Sequence, residues 1–159
     1  MNEQQLALQA NEVRESIIEM LLAAGSGHTA GPLGMADIFT ALYFAPRVGE
    51  DAENGLRGIL RHNPENPFWD ERDRLVLSNG HICPVYYATL AHVGYFSTSE
   101  LLTLRKFGSR LQGHPHREYL DIVETSSGPL GSGLSQAAGM AKAIAMDYER
   151  DHAGQPTDQ

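Results

Sequence analysis

Apolar residues near the start of the chain recur every three or four positions, which is the spacing of an amphipathic helix. This pattern predicts a helix over 6–24, with Asn2 as a candidate N-cap and Gly25 as its stop. The glycine-rich segment 25–34 is expected to form a turn. A second helical pattern follows and should end before Pro46, because the residue before a proline disfavours helical backbone angles.

Three further helices are predicted in the rest of the chain. One starts after His81 and ends near Gly94. Ser97 with Glu100 resembles a capping box, which predicts another helix to about residue 106. The last pattern predicts a helix over 134–150, whose apolar residues again share one face.

Only one segment predicts a buried strand. Residues 74–78, RLVLS, form a short apolar run between charged residues and an Asn-Gly pair. The polar segment 47–73 is expected to be a surface loop with a short helix near 56–60, and 108–128 is expected to be loop. Because one strand cannot make a sheet, we expect part of a larger α/β domain, helix-rich with few strands.

Composition narrows the class of protein. The chain has 159 residues, 42% of them hydrophobic, which suffices for one domain with a core. A net charge of -8 without a Lys/Arg cluster argues against nucleic acid as a partner. The single cysteine, Cys83, cannot form an internal disulfide and fits a reducing compartment. Without a signal peptide or a membrane-length apolar run, a cytoplasmic protein with no membrane contact is expected.

The glycine-rich stretch before the last helix leaves two interpretations open. Gly128, Gly131 and Gly133 allow close backbone approach, and a helix N-terminus favours a phosphate group. However, Gln136 stands where a dinucleotide-binding fingerprint has glycine, and no P-loop lysine follows. The favoured alternative is a tight turn leading into a helix that packs closely on a neighbour.

Three histidines follow a glycine directly: His28, His81 and His114. Each is expected in a loop or at the end of an element, where binding groups concentrate on a rigid scaffold. Histidine donates and accepts hydrogen bonds and moves protons near neutral pH. The repeated setting therefore predicts a shared polar pocket.

Other candidate chemistry has weaker support. His114 and His116 lack the ligand spacing of a zinc site, so no metal site is predicted in this chain. Cys83 is expected to be buried, and no nucleophile elbow is present. The remaining notable side chains are interpreted as core or surface residues: His62, His92, His152, Tyr86, Tyr87, Leu101 and Leu102.

Taken together, these motifs resemble the transketolase family. Four segments stand in the family's order over most of residues 1–150: SGHTAGPLGMADIFTALYF, RDRLVLSNGHICPVYYATLAHVGYF, LRKFGSRLQGHPH and TSSGPLGSGLSQAAGMAKA. The resemblance is to the N-terminal, diphosphate-binding part, including forms split into two chains. It implies that residues 1–159 are an N-terminal fragment of a three-layer α/β/α thiamine diphosphate-binding domain.

The resemblance also implies roles for individual residues. Main-chain groups of Gly128 and Leu130 would touch the aminopyrimidine ring of thiamine diphosphate, which corrects the phosphate interpretation of this turn. His81 would lie near the cofactor's diphosphate and the reacting centre. His28 and His114 would contact the hydroxyls of a ketose donor and assist proton transfers.

The implied reaction belongs to the pentose phosphate pathway of carbohydrate metabolism. A two-carbon ketol unit passes from a ketose phosphate to an aldose phosphate, and the cofactor supplies the difficult chemical step. Mg²⁺ would anchor the diphosphate, with its main protein ligands in a Gly-Asp-Gly segment expected outside this chain. Two departures from the family pattern are His116, where an acidic residue is usual, and Ser132, where glutamine is usual.

Two hypotheses remain at this point. The chain is the first portion of a transketolase, inactive without a complementary C-terminal portion or subunit and expected to work in an oligomer. Alternatively, it is a non-catalytic remnant or interaction module of that family. Retention of all three glycine-histidine motifs favours the first.

Overall fold

The computed structural model describes residues 1–47 and 56–153. These residues form four α-helices: α1, Glu3–Ala24; α2, Ala30–Phe44; α3, Cys83–Val93; and α4, Ser132–Asp151. Two 3₁₀ helices, Gly80–Ile82 and Thr98–Thr103, lie between them. The expected helix-rich character is confirmed, while the described residues form no β-strand and show no three-layer arrangement.

Helix α1 begins and ends where the sequence predicts. The Asn2 side chain accepts a hydrogen bond from the Gln5 backbone N–H at 2.9 Å, and the Gln5 side chain accepts one from the Asn2 N–H at 2.8 Å. This capping box satisfies donors that a helix start leaves free. Gly25 ends the helix in the left-handed conformation, with φ of 63°, which glycine adopts without a steric penalty.

Helix α2 begins earlier than expected. The segment 25–34 was predicted to be a turn throughout, but the helix starts at Ala30. Pro32 lies in its first turn, where the absent N–H would have no partner in any case. Gly31 lets α2 approach the 3₁₀ turn Gly80–Ile82 closely, since a Cβ there would lie 2.9 Å from the Ile82 side chain. The helix ends at Phe44, before Pro46 as predicted.

Helix α3 lies at the centre of the core. Nine of its eleven residues are buried, and it packs against both α1 and α2. The α1 face that meets the core carries Val13, Ile17 and Met20, each fully buried. Tyr86 and Tyr87 are core residues as predicted, whereas Leu102 is 44% exposed and lies outside the core, contrary to expectation.

The strand predicted over 74–78 is wrong. Leu77 is buried, as a strand interpretation requires, but the described residues supply no second strand to pair with this segment. A strand without a neighbour has no partners for its backbone groups, so this segment forms no strand although Leu77 packs in the core. The short helix expected near 56–60 is also absent. Within the expected surface loop 47–73, residues 48–55 lie outside the described residues.

The helix predicted from Ser97 to about residue 106 is a 3₁₀ helix that ends at Thr103. Ser97 does cap it, accepting from the Ser99 backbone N–H at 3.3 Å. Glu100 does not complete a capping box because its carboxylate binds the Arg110 guanidinium, at 3.0 Å for the Oε2 contact. The segment 108–128 contains no helix or strand, which confirms the loop prediction.

Helix α4 differs from the other three in its surroundings. It forms over the predicted residues, but Gly133 alone is buried among the helix residues. Its apolar side chains face outwards: Leu134, Ile144, Met146 and Tyr148.

Within the part of the chain that is described, no helix combines the length and apolar character needed to cross a bilayer.

Candidate active site

The structure brings together the three glycine-preceded histidines. His28 lies between α1 and α2, His81 in the 3₁₀ turn that leads into α3, and His114 in the 108–128 loop. The ring centroids of His28 and His81 are 5.0 Å apart. His114 contacts the same turn, since a Cβ on Gly80 would lie 3.0 Å from its ring. We call His28, His81 and His114 the histidine cluster.

Burial and charge keep His114 neutral. Desolvation lowers its pKa, and electrostatic interactions with Arg105, His81 and His28 lower it further. Its pKa therefore lies below the ordinary histidine value near 6.5. A neutral imidazole has one donor and one acceptor nitrogen, so this ring can accept a proton from a hydroxyl at neutral pH.

The loop that carries His114 is fastened to α3 by two side chains. The Tyr87 hydroxyl donates to the Gln112 carbonyl at 2.9 Å, and the Cys83 thiol donates to the Gly113 carbonyl at 3.2 Å. Burial raises the pKa of Cys83 to about 12, so it stays a thiol. Its predicted burial is confirmed, and its contacts give it a structural role.

The glycine turn before α4 combines close packing with open space. The Gly131 N–H donates to the Ser78 hydroxyl at 3.1 Å, and a Cβ on Gly133 would lie 2.6 Å from the Ser78 Cα. These two contacts match the tight-turn interpretation. Gly128 has no atom within 4 Å of where its Cβ would be, and Leu130 is 71% exposed. The backbone at Gly128 therefore faces unfilled space.

An unpartnered hydroxyl lies between this turn and the histidine cluster. The Ser127 Oγ is buried and has no hydrogen-bond partner, and it would lie 2.4 Å from a Cβ on Gly80. Buried polar groups are normally paired. The Ser127 hydroxyl is therefore a buried polar group without a partner, next to the glycine turn.

The two residues that depart from the family pattern have different settings. Ser132 donates its hydroxyl to the Pro129 carbonyl at 2.8 Å and so closes the glycine turn upon itself. The His116 ring packs against Tyr119, with centroids 4.8 Å apart, and its Nδ1 is buried without a partner. Only Ser132 contributes to the shape of the turn.

Arg105 is a site residue that sequence patterns did not indicate. Its Nη1 lies 3.3 Å from the Ser26 hydroxyl, and its guanidinium lies against Gly113, next to His114. One signal was present in the sequence: Gly113 precedes His114 in a loop where no helix end or hairpin explains a glycine.

The other histidines are structural. His62 lies 3.0 Å from the Tyr43 carbonyl, His92 lies 2.9 Å from the Ser16 hydroxyl, and His152 bonds the Tyr148 carbonyl at the end of α4. Across residues 1–47 and 56–153, no group of three or more His, Cys, Asp or Glu side chains is arranged to hold a metal ion.

Comparisons with known proteins show which family this chain is similar to. Residues 5–157 match the family described as transketolase, thiamine diphosphate binding domain. The chain is 40% identical over 146 residues to transketolase 2 of Vibrio vulnificus, which covers 89% of this chain and 20% of that protein. It therefore spans about a fifth of the length of the curated relatives it matches.

Solved structures give the same result. The chain is similar to transketolase from Leishmania mexicana, with a TM-score of 0.74 and 34% identity over 86% of this chain and 18% of that one. It is also similar to a transketolase from Pichia stipitis solved in complex with sedoheptulose-7-phosphate, with a TM-score of 0.66 and 33% identity. That match covers 79% of this chain and 17% of the Pichia chain.

Proposed function

Because the chain belongs to the transketolase thiamine diphosphate-binding domain family, we propose that it supplies one part of a transketolase active site. The reaction is transfer of a two-carbon ketol unit from a ketose phosphate to an aldose phosphate. The observation that carries the proposal is the histidine cluster, packed against Gly80 and adjoining the open backbone of Gly128.

The residues present fit thiamine diphosphate. Main-chain groups of Gly128 and Leu130 would hold the aminopyrimidine ring, supported by the open space at Gly128 and the exposure of Leu130. The family resemblance implies that His81 would bind near the diphosphate, and His81 lies in the 3₁₀ turn that leads into helix α3. When bound, the cofactor supplies the electron sink for breaking and forming a carbon–carbon bond.

His28 and His114 would act on the sugar. In this proposal both rings hydrogen-bond hydroxyl groups of the ketose donor and hold it in a fixed orientation. His114 is suited to accept a proton from a hydroxyl, because its lowered pKa keeps it neutral. Exposed His28 would meet the sugar at the mouth of the site.

A complementary C-terminal portion or subunit of a transketolase completes the site in this proposal. The outward apolar side chains of α4 support it, since such a face favours association with another surface. The family resemblance implies that Mg²⁺ would be held chiefly by residues of that portion. We place the assembled oligomer in the cytoplasm, as part of the pentose phosphate pathway.

The test is reconstitution. The chain is mixed with the complementary portion of a transketolase, thiamine diphosphate and Mg²⁺, and ketol transfer between sugar phosphates is measured. We expect turnover from the mixture and none from the chain alone. His81→Ala should lower kcat/KM by roughly 10²-fold or more, as loss of a group at the reacting centre does.

His92→Gln is the matched control, because His92 lies outside the histidine cluster and glutamine keeps a hydrogen-bonding side chain. It should leave kcat/KM unchanged. An assembled enzyme indifferent to His81→Ala would remove the role assigned to His81. Turnover by the chain alone would show that no complementary portion is needed.

A further inference from the structure

Arg105 has an unusual backbone conformation. Its φ is 60°, and it is the one non-glycine residue with a positive φ among those described. This left-handed region costs an ordinary L-residue about 1 kcal/mol or more. The conformation is held by the Arg105 N–H, which donates to the Leu111 carbonyl at 2.9 Å. Strain of this kind concentrates at functional sites.

The side chain of Arg105 reaches two segments that carry histidines. Its Nη1 lies 3.3 Å from the Ser26 hydroxyl, two residues before His28. Its guanidinium also lies so close to Gly113 that a Cβ there would be 2.7 Å from Nε. Only a glycine before His114 leaves room for this arrangement.

We propose that Arg105 is a positioning residue of the histidine cluster: its guanidinium bridges the segments that carry His28 and His114 and places a fixed positive charge beside them. This inference rests on the proposed function for its catalytic meaning. Its geometry does not depend on that function, because the contacts with Ser26 and Gly113 are present without any ligand.

The charge of Arg105 has a definite effect on His114. The groups that face this ring and lower its pKa by charge are Arg105, His81 and His28. Of the three, Arg105 alone carries its charge at every physiological pH. It therefore disfavours the protonated form of His114 and keeps the ring able to accept a proton.

The experiment is an NMR titration of the histidine rings in the chain, with His114→Gln used to assign the His114 signal. Arg105→Gln removes the charge but retains a long non-glycine side chain, so the backbone cost is similar. We expect the pH midpoint of the His114 titration to move to higher pH in Arg105→Gln and to stay low in Arg105→Lys. Lys106→Gln, a neighbouring cation outside these contacts, should leave the midpoint unchanged.

Gly113→Ala tests the bridge without changing any charge. Its Cβ would push the guanidinium aside, so the His114 midpoint should again rise and the Ser26 amide signal should shift. A thermal melt of each variant verifies folding. An unchanged His114 midpoint in both folded variants, Arg105→Gln and Gly113→Ala, overturns the inference.

Neither outcome depends on cofactor binding. If the midpoints move as expected but the reconstituted enzyme shows no turnover, the proposed function fails while the bridge stands. If turnover is present and the midpoints do not move, the proposed function stands and Arg105 has no positioning role. In the active assembly, Arg105→Gln should move the acidic limb of the kcat/KM pH profile in the same direction as the midpoint.

Discussion

Helices α3 and α4 each lead away from the candidate site, but they are supported in opposite ways. Helix α3 follows His81 directly, and nine of its eleven residues are buried. Helix α4 follows the glycine turn at Gly128, and Gly133 alone is buried in its length. His81 is therefore supported by a helix that is packed in the core. The glycine turn is supported by contacts of the first turn of α4 with Ser78.

The sequences of the two helices account for the difference. The α3 sequence, CPVYYATLAHV, contains no Asp, Glu, Lys or Arg, as expected of a helix that is covered on all sides. The α4 sequence, SGLSQAAGMAKAIAMDYERD, has an apolar face and a charged face. An amphipathic helix buries its apolar face against a neighbouring layer of structure, and the other described helices do not cover this face of α4.

The largest expected effect compares one leucine from each helix. Leu90 on α3 is 2% exposed and Leu134 on α4 is 76% exposed. Leu90→Ala should lower the free energy of unfolding by about 2–5 kcal/mol, because it removes buried methyl groups and leaves a cavity. Leu134→Ala should change it by less than about 0.5 kcal/mol. Urea denaturation followed by circular dichroism measures both.

In the presence of the complementary portion proposed above, Leu134→Ala is expected to have a measurable effect. When it covers α4, Leu134→Ala should weaken the association, while the chain alone remains as stable as before. Equal losses of stability from the two alanine variants of the free chain would show that α4 is packed in solution and that the contrast between the helices is wrong.

The next prediction compares two glycines within α4. A Cβ on Gly133 would lie 2.6 Å from the Ser78 Cα, whereas a Cβ on Gly139 would meet nothing within 4 Å. Gly133→Ala should separate the start of α4 from Ser78, at a cost of about 1–3 kcal/mol. Gly139→Ala should stabilise the helix by up to about 1 kcal/mol.

Hydrogen exchange of the α4 amides is the measurement for this pair, because it reports local opening. Exchange should become faster in Gly133→Ala and slower in Gly139→Ala. Slower exchange in both variants would mean that the contact with Ser78 does not fix the helix.

Sequence patterns predicted the parts of the fold that depend on local rules. The Asn2 capping box, the Gly25 stop and all four α-helices follow from side-chain spacing and from end signals. The expectation failed where the outcome depends on distant partners. Residues 74–78 have the apolar character of a strand but no neighbouring strand in the described chain, and Glu100 binds Arg110 instead of closing a cap.

The sequence also predicted some residues of the candidate site and missed another. The Gly-His setting predicted that His28, His81 and His114 share one region, and the structure brings them together. Arg105 carries no such signal, because its importance comes from a left-handed backbone and from contacts with Ser26 and Gly113. Such contacts arise only when the loops are packed together.

The smallest expected effect concerns pH and the support of α3. His92, near the end of α3, faces α1, with Nε2 2.9 Å from the Ser16 hydroxyl and Nδ1 3.5 Å from the Gln9 amide nitrogen. Burial lowers the pKa of His92, although Glu12 partly offsets this. The neutral ring fits both neighbours, since Nδ1 accepts from Gln9 while Nε2–H donates to Ser16.

A folded-state pKa below the unfolded value means that the unfolded chain binds more protons. The contribution of neutral His92 to stability is therefore complete above about pH 6.5 and is lost as the pH falls through the folded-state pKa. His92→Gln should flatten the decline in unfolding free energy between pH 7 and 5 by on the order of 0.5 kcal/mol, since solvent screens the half-buried ring. His152→Gln, directly after exposed α4, controls for the loss of a titratable ring. If unfolding free energy declines as steeply in His92→Gln as in the unmodified chain, the pH sensitivity comes from another group. Half-buried His62 would then be the next residue to replace, because burial also lowers its pKa.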